Sequence, residues 1–243
     1  MNSIQTIPLT NLALAFIPVL FVIGILFNWR LDAYNAIYAL VRMLAQLLMI
    51  GFFLTTLFSS QSAGLIVSIL ALMIMISSWI ALGSIKKHRG QLYSKALLAM
   101  ALGSGSTLFV ISVGVIELHP WYEPRFLIPL GGMIFANAMN SMSLAAERLE
   151  SEISRNRRYD HARTIAFNAA LIPIINSLFA VGLVSLPGMM TGQILSGVSP
   201  FIAARYQIMV MCMVFASSGL TTACFLVLIK KDFINGLSDK LQS

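Results

Sequence analysis

The amino-acid sequence predicts an all-α protein, a polytopic membrane helical bundle of about seven transmembrane segments with a broken sixth. Three observations carry this expectation. Of the 243 residues 58% are apolar and only 10% charged, against roughly 25% charged in soluble domains, and the mean hydropathy is +0.85. The charges gather in short clusters separated by apolar runs of spanning length. Between Ala170 and Gly192, moreover, an apolar run is interrupted by Pro173, Gly182, Pro187, Gly188 and Gly192. Proline removes a backbone donor, and glycine costs about 1 kcal/mol in a helix interior. Broken helices survive at membrane depth only where protein or a cavity satisfies the freed backbone groups. This stretch is therefore expected at the working centre of a transporter.

A span needs about 20 apolar residues, and the chain divides accordingly into one transmembrane domain over residues 1–243. Ile7 to Phe27 is the first span, kinked at Pro18. No Lys or Arg precedes it, so it reads as a retained helix and not as a cleaved signal peptide. Tyr38 to Phe58 and Ala63 to Gly83 are the second and third, joined by Ser59 to Ser62 as an antiparallel hairpin. A basic loop with Lys86, Lys87, Arg89 and Lys95 leads to the fourth, Ala96 to Ile116. Glu117 to Arg125, with Trp121 and Tyr122, has the composition of an interfacial belt. Phe126 to Ala146 is the fifth span.

The one long polar excursion, Glu147 to Arg163, then carries Arg148, Arg155, Arg157, Arg158 and Arg163 against Glu147, Glu150, Glu152 and Asp160. Its three- and four-residue charge spacings read as a short amphipathic helix, a cytoplasmic coupling segment of the kind a permease presents to a separate motor. The charge-free stretch from Thr164 to Ala204 fits one crossing plus a re-entrant or broken half, and Met209 to Ile229 closes the bundle before Lys230 and Lys231.

The net charge of +7 sits at the ends of apolar runs, so membrane topology accounts for it better than nucleic acid does. Loops after the first, third, fifth and last spans hold nearly all the Lys and Arg. That bias puts the N-terminus outside and the C-terminus in the cytoplasm of a cell (inner) membrane protein. Cys212 and Cys224 lack metal-type spacing and read as small buried hydrophobes.

Few residues inside the spans offer chemistry. Arg42 and Gln46 share a helical face, and a cation in a spanning helix is a functional candidate unless it snorkels to the interface. Asn137, Asn140, Asn176 and Ser177 place polar groups in apolar segments, where they either glue helices together or line a pathway. Apart from Arg42, no Asp, Glu, His or Lys lies well inside a predicted span, which points to energy supplied from outside this chain. Met133, Met139, Met142, Met189, Met190, Met209, Met211 and Met213 suit a soft metal, but flexible core filling explains methionines as a class. Glu117, His119 and Glu123 offer ligands on the outer side, yet a plain interfacial loop accounts for them, and His88 and His161 are lone in basic loops. No hydrolase triad, P-loop, zinc spacing or dinucleotide fingerprint is present, so neither a catalytic residue nor a metal ligand is assigned.

The block Val-Gly-Leu-Val-Ser-Leu-Pro-Gly-Met-Met-Thr-Gly at Val181 to Gly192 closely resembles the FetB family of ABC-transporter permeases. That family holds bacterial iron exporters and plant relatives linked to aluminium tolerance. The likeness extends through Ala169 to Pro173, Ala204 to Val210, Pro129 to Ile134 with Asn137 to Met139, and Arg42 to Gly51 with Gln46. Where the family commonly has Asp-Ser followed by a basic residue and Thr, this chain reads Asn176-Ser177-Leu178-Phe179-Ala180. The resemblance implies a homodimeric permease in the lipid bilayer that exports a metal ion, iron above all, or a small polar solute. It also implies that ATP and Mg are bound by a separate cytoplasmic ABC ATPase subunit, with no cofactor in this chain. The expected pathway is Asn137, Asn140, Asn176, Ser177, Ser185, Pro187, Gly188, Arg42 and Gln46, and the expected coupling residues are Glu147, Glu150, Arg155 and Arg158. The alternative from another class is a membrane scaffold or assembly subunit that binds a partner protein and transports nothing.

Overall fold

The computed structural model describes residues 7–58, 62–85 and 88–233, so the Ser59 to Ser62 hairpin turn, apart from Ser62, and Lys86 and Lys87 lie outside the described residues. The chain divides into two compact units, Met1–Ser59 and Ser60–Ser243.

In the first unit, α1 (Leu9–Leu14) and α2 (Phe16–Asn28) are one apolar run interrupted at Ala15. The interruption falls where Pro18 supplies no amide to the carbonyl of Leu14 and crowds it. Trp29 closes α2, Arg30 after it is in the left-handed region, φ 57°, and the Leu31 amide folds back onto the Leu26 carbonyl at 2.9 Å. Asp32 then accepts the Asn35 amide at 3.0 Å and opens α3 (Ala33–Phe58), as a carboxylate does at a helix N-terminus. Phe27 and Tyr34 meet edge to face across this turn, centroids 5.8 Å apart.

In the second unit, α4 (Ala63–Ala81) ends in the short turn Leu82–Ser84. Arg89 caps it. Its Nε and Nη2 donate to the orphaned Trp79 carbonyl at 3.0 and 2.6 Å, and its guanidinium lies 3.9 Å from the Trp79 ring centroid. Helix α5 (Arg89–Ala99) continues through a wide π turn at Met100–Gly105, one α turn (α6, Ser106–Phe109) and a second π turn at Val110–Val115. The first π turn lies where this helix meets α10 (Pro200–Leu228). A Cβ on Gly103 would stand 2.5 Å from the Thr221 amide, so only glycine admits this approach. Ser104 and Thr221 share a buried hydroxyl hydrogen bond of 2.8 Å beside it, the kind of contact that holds membrane helices together.

The remaining elements are α7 (Pro124–Ser154), α8 (Tyr159–Ala180) and α9 (Gly188–Leu195). α7 packs on α4, α8 and α10 and buries Ile134, Phe135, Met142 and Leu149. Six helical stretches among the described residues are long and apolar enough to cross a membrane, namely Thr10–Asn28, Ala33–Gly51, Ala63–Ser84, Arg89–Val115, Tyr159–Ala180 and Pro200–Leu228. α7 has the length, 31 residues, but Asn137, Asn140, Ser141 and Ser143 dilute its apolar character. A helix enclosed by three others can carry such polarity, because few of its side chains need face lipid.

Three expectations shift. Pro173 lies inside α8 and Gly192 inside α9, so the chain breaks only between Ala180 and Gly188. The final helix starts at Pro200, nine residues before the expected Met209, since proline at its first position costs no hydrogen bond. The polar excursion forms no helix of its own. Residues 147–154 end α7, Tyr159 opens α8, and a turn through Asn156 (φ 60°) joins them, with the Arg157 amide on the Glu152 carbonyl at 3.3 Å. This is the six-to-one closure of a helix C-terminus, and asparagine tolerates its left-handed position.

Candidate functional site: a methionine-lined cavity and a charged corner

The α8–α9 break is a tight knot. The Ala180 carbonyl accepts from the amides of Val184 at 2.8 Å and Ser185 at 3.1 Å, and the Gly182 amide returns to the Ser185 carbonyl at 3.0 Å. Gly182 has φ 84°, a conformation that side-chain-bearing residues rarely hold. Pro187, extended at φ −62° and ψ 144°, sets the start of α9. The knot satisfies its own backbone, which permits a break in an apolar stretch. Its tip is apolar and outward, with Leu183 and Val184 91% and 85% exposed.

Beside this break lies a cavity of about 310 Å³, bounded by Ile116, by Arg125, Phe126, Pro129, Leu130 and Met133 of the start of α7, by Met189 of α9, and by Tyr206 and Met209 of α10. The α7 residues recur at the one-, four- and five-residue spacings of a single helical face, and Tyr206 and Met209 sit three apart on α10. Arg125 makes no ion pair among the described residues. Pro129 denies the Arg125 carbonyl its usual helical donor.

Of the expected pathway residues, Pro187 and Gly188 form the edge of the break next to Met189. Asn137 lies one turn along α7 from the cavity, and its Nδ2 donates to the Met133 carbonyl at 2.8 Å. Asn140 is exposed, as are Asn176 and Ser177 near the end of α8, where the Ser177 hydroxyl donates to the Pro173 carbonyl at 2.9 Å. Ser185 is exposed within the knot, and Arg42 and Gln46 are exposed on one face of α3. Among the described residues no three or more of His, Cys, Asp and Glu come together as metal ligands, so Glu117, His119 and Glu123 form no such group.

The opposite end of α7 carries a charged corner centred on Glu152, which is 1% exposed. Arg148 Nη2 reaches its Oε1 at 2.9 Å, Arg157 Nε its Oε2 at 2.9 Å, and Arg155 Nη1 its Oε1 at 3.8 Å. The pairing converges on Glu152, whereas the expected coupling residues Glu147 and Glu150 enter no ion pair among the described residues. Arg158 flanks the corner as the residue preceding α8. Three guanidiniums on one carboxylate leave a surplus of positive charge at the surface. Asp160 ties the corner to the end of α10 through Lys230 Nζ at 3.1 Å, the Tyr159 hydroxyl donates to the Leu226 carbonyl, and Lys95 pairs with Asp232.

Sequence reasoning missed Arg125 and Tyr206 as cavity residues and Glu152 as the hub. The α7 stripe from Arg125 to Met133 is visible in the sequence, but nothing there shows that α9 and α10 close it into a cavity. Glu152 lies four residues before the left-handed Asn156 of a helix–turn–helix, and that turn, not charge spacing, brings Arg157 back to it.

Helices enough for six crossings, an internally satisfied break and a polar helix packed among three others define a multi-pass helical membrane protein. The chain belongs to the family described as Uncharacterised protein family (UPF0014), whose model matches residues 9–163 and 154–234. It is 34% identical over 209 residues to a UPF0014 membrane protein of Synechocystis, covering 80% of this chain and 81% of that one. It is 31% identical over 240 residues to the probable iron export permease protein FetB of Escherichia coli, 90% of each chain. It is also 31% identical over 199 residues to the UPF0014 membrane protein STAR2 of rice, 75% of this chain and 68% of that one. No solved structure matches the chain.

Proposed function

We propose that this chain is the membrane-spanning permease subunit of an ATP-driven exporter. It works as a homodimer in the cell (inner) membrane with its N-terminus outside and its C-terminus in the cytoplasm. It moves a metal ion or small polar solute while a separate cytoplasmic ABC subunit binds ATP and Mg and hydrolyses the nucleotide. The observation that carries this reading is the full-length similarity to a probable iron export permease, at 31% identity over 90% of each chain.

The geometry supplies a mechanism. α7 runs from the cavity at Arg125–Met133 to the corner at Arg148–Glu152 without interruption, with about 40 Å between Arg125 and Glu152 at 1.5 Å per residue. A push on the corner by the ATPase is therefore transmitted along one helix to the wall of the cavity, and Pro129, with its missing hydrogen bond, is where that wall yields. The α8–α9 knot, with Asn176, Ser177, Ser185, Pro187 and Gly188, forms the opposing edge of the path. Asn137 and Asn140 on α7 extend it, while Arg42 and Gln46 share a face of α3 in the first unit and remain candidate pathway residues. Glu147, Glu150, Arg155 and Arg158 present the docking surface to the motor.

The test is co-expression of the full chain with candidate cytoplasmic ABC ATPases from the same organism and reconstitution of any pair that co-purifies. Stimulated ATP hydrolysis that falls on Arg155→Ala or Glu150→Ala, with insertion intact, is the expected result. An ATPase that neither co-purifies nor responds leaves the scaffold reading in its place.

A further inference from the structure

We infer that Met133, Met189 and Met209 form a binding site for a soft monovalent cation such as Cu(I) or Ag(I). Three observations lead there. The three thioethers come from three separate elements, α7, α9 and α10, and bound the same cavity. They also differ from the methionines that fill the core. Met100, Met142 and Met213 are sealed at 0%, 0% and 1% exposure, whereas Met133, Met189 and Met209 are half-buried around open space. A core-filling methionine closes a gap; these three leave one of about 310 Å³ between them. Finally, Met189 is the second residue of α9, directly after the Pro187–Gly188 break, in the block that the expected pathway shares.

The chemistry of the cavity selects the class of ion. Thioether sulfur is neutral and polarisable and holds soft ions, while hard cations prefer carboxylate, carbonyl and water oxygens. The cavity offers no carboxylate, and Arg125 at its edge repels a divalent or trivalent ion more strongly than a monovalent one. A singly charged soft ion held by three sulfurs is the occupant both features allow. As a cargo site it rests on the permease reading, but as a binding site it stands apart from transport.

The experiment uses the full chain purified in detergent, with Cys212→Ser and Cys224→Ser to remove competing thiols, titrated with Ag(I) in chloride-free buffer. One Ag(I) per chain is expected, with X-ray absorption showing sulfur as its only neighbour. Each of Met133→Leu, Met189→Leu and Met209→Leu should weaken binding by about tenfold or more, and the three together should abolish it. Leucine conserves volume, so the fold should persist, and an unchanged elution profile and helical circular dichroism check this. Absence of Ag(I) binding in the cysteine-free chain, oxygen or nitrogen neighbours, or binding that survives the triple variant overturns the site. None of these results bears on ATPase stimulation, so the permease reading stands or falls by its own assay.

Discussion

At the scale of single residues, two positions combine burial with consequences that can be measured. Gly103 is pressed against the Thr221 backbone, 2.5 Å from where a Cβ would be. Gly103→Ala should force α5's continuation away from α10 and lower stability by about 1–3 kcal/mol, as overpacking does, read as a lower unfolding temperature in detergent. Glu152 offers an asymmetry. Its arginines are substantially exposed and remain solvated without it, so Glu152→Gln should cost only about 1 kcal/mol, the scale of one hydrogen-bonded contact. Removing Arg148 and Arg157 together leaves the buried carboxylate with only the distant Arg155 and should cost about 3–5 kcal/mol. Equal losses in the two variants, measured by thermal unfolding, would contradict the hub geometry. The importance of neither residue was visible in the sequence. Gly103 is one of 16 glycines, and Glu152 one of four acidic groups in its segment, until the partner helix and the turn are known.

At the scale of elements, the breaks obey rules that the sequence carries, though incompletely. Pro187, Gly182 and the residues between them mark the end of α8 because a left-handed glycine and a proline stand five residues apart just beyond Ala180. Pro173 alone does not end the helix: a single lost hydrogen bond, with Ser177 bonded back to its carbonyl, is absorbed within α8. Gly182→Ala places a side chain at φ 84°, a strain of about 1–2 kcal/mol. The knot should loosen, and substrate-stimulated ATPase activity should fall while membrane insertion is kept; wild-type activity in that variant would show that the knot is no gate. α7 makes the complementary point. Its Phe126–Ala146 core was legible as a helix, and Glu147–Arg163 as a separate short one; that residues 147–154 continue α7 was not legible, because charge spacing marks a helix but not where the preceding one ends.

At the scale of the whole molecule, the second unit has two chemically distinct ends. The α7–α8 turn and the end of α10 are held together by Asp160 with Lys230 and by Tyr159 with the Leu226 carbonyl, so residues 155–158 and Lys230 lie together at one end of the unit. The segment 117–123 precedes the other end of α7, and the proposed topology puts it on the opposite side of the membrane. In intact cells a membrane-impermeant maleimide should label His119→Cys and spare Asn156→Cys in a background lacking Cys212 and Cys224. The reverse pattern would invert the topology proposed from the positive charges. Composition, the spacing of apolar runs and the placement of Lys and Arg determined by themselves that this is a helical membrane protein broken near Pro187. Those properties depend on local hydrophobicity and backbone chemistry, which each residue carries wherever it sits. Tertiary structure alone decided that Met133, Met189 and Met209 surround one cavity, that Gly103 meets Thr221, and that Arg157 folds back across the turn onto Glu152. Each of these joins residues from different helices or across a turn, and such contacts arise from how helix faces pack, which no single stretch of chain encodes.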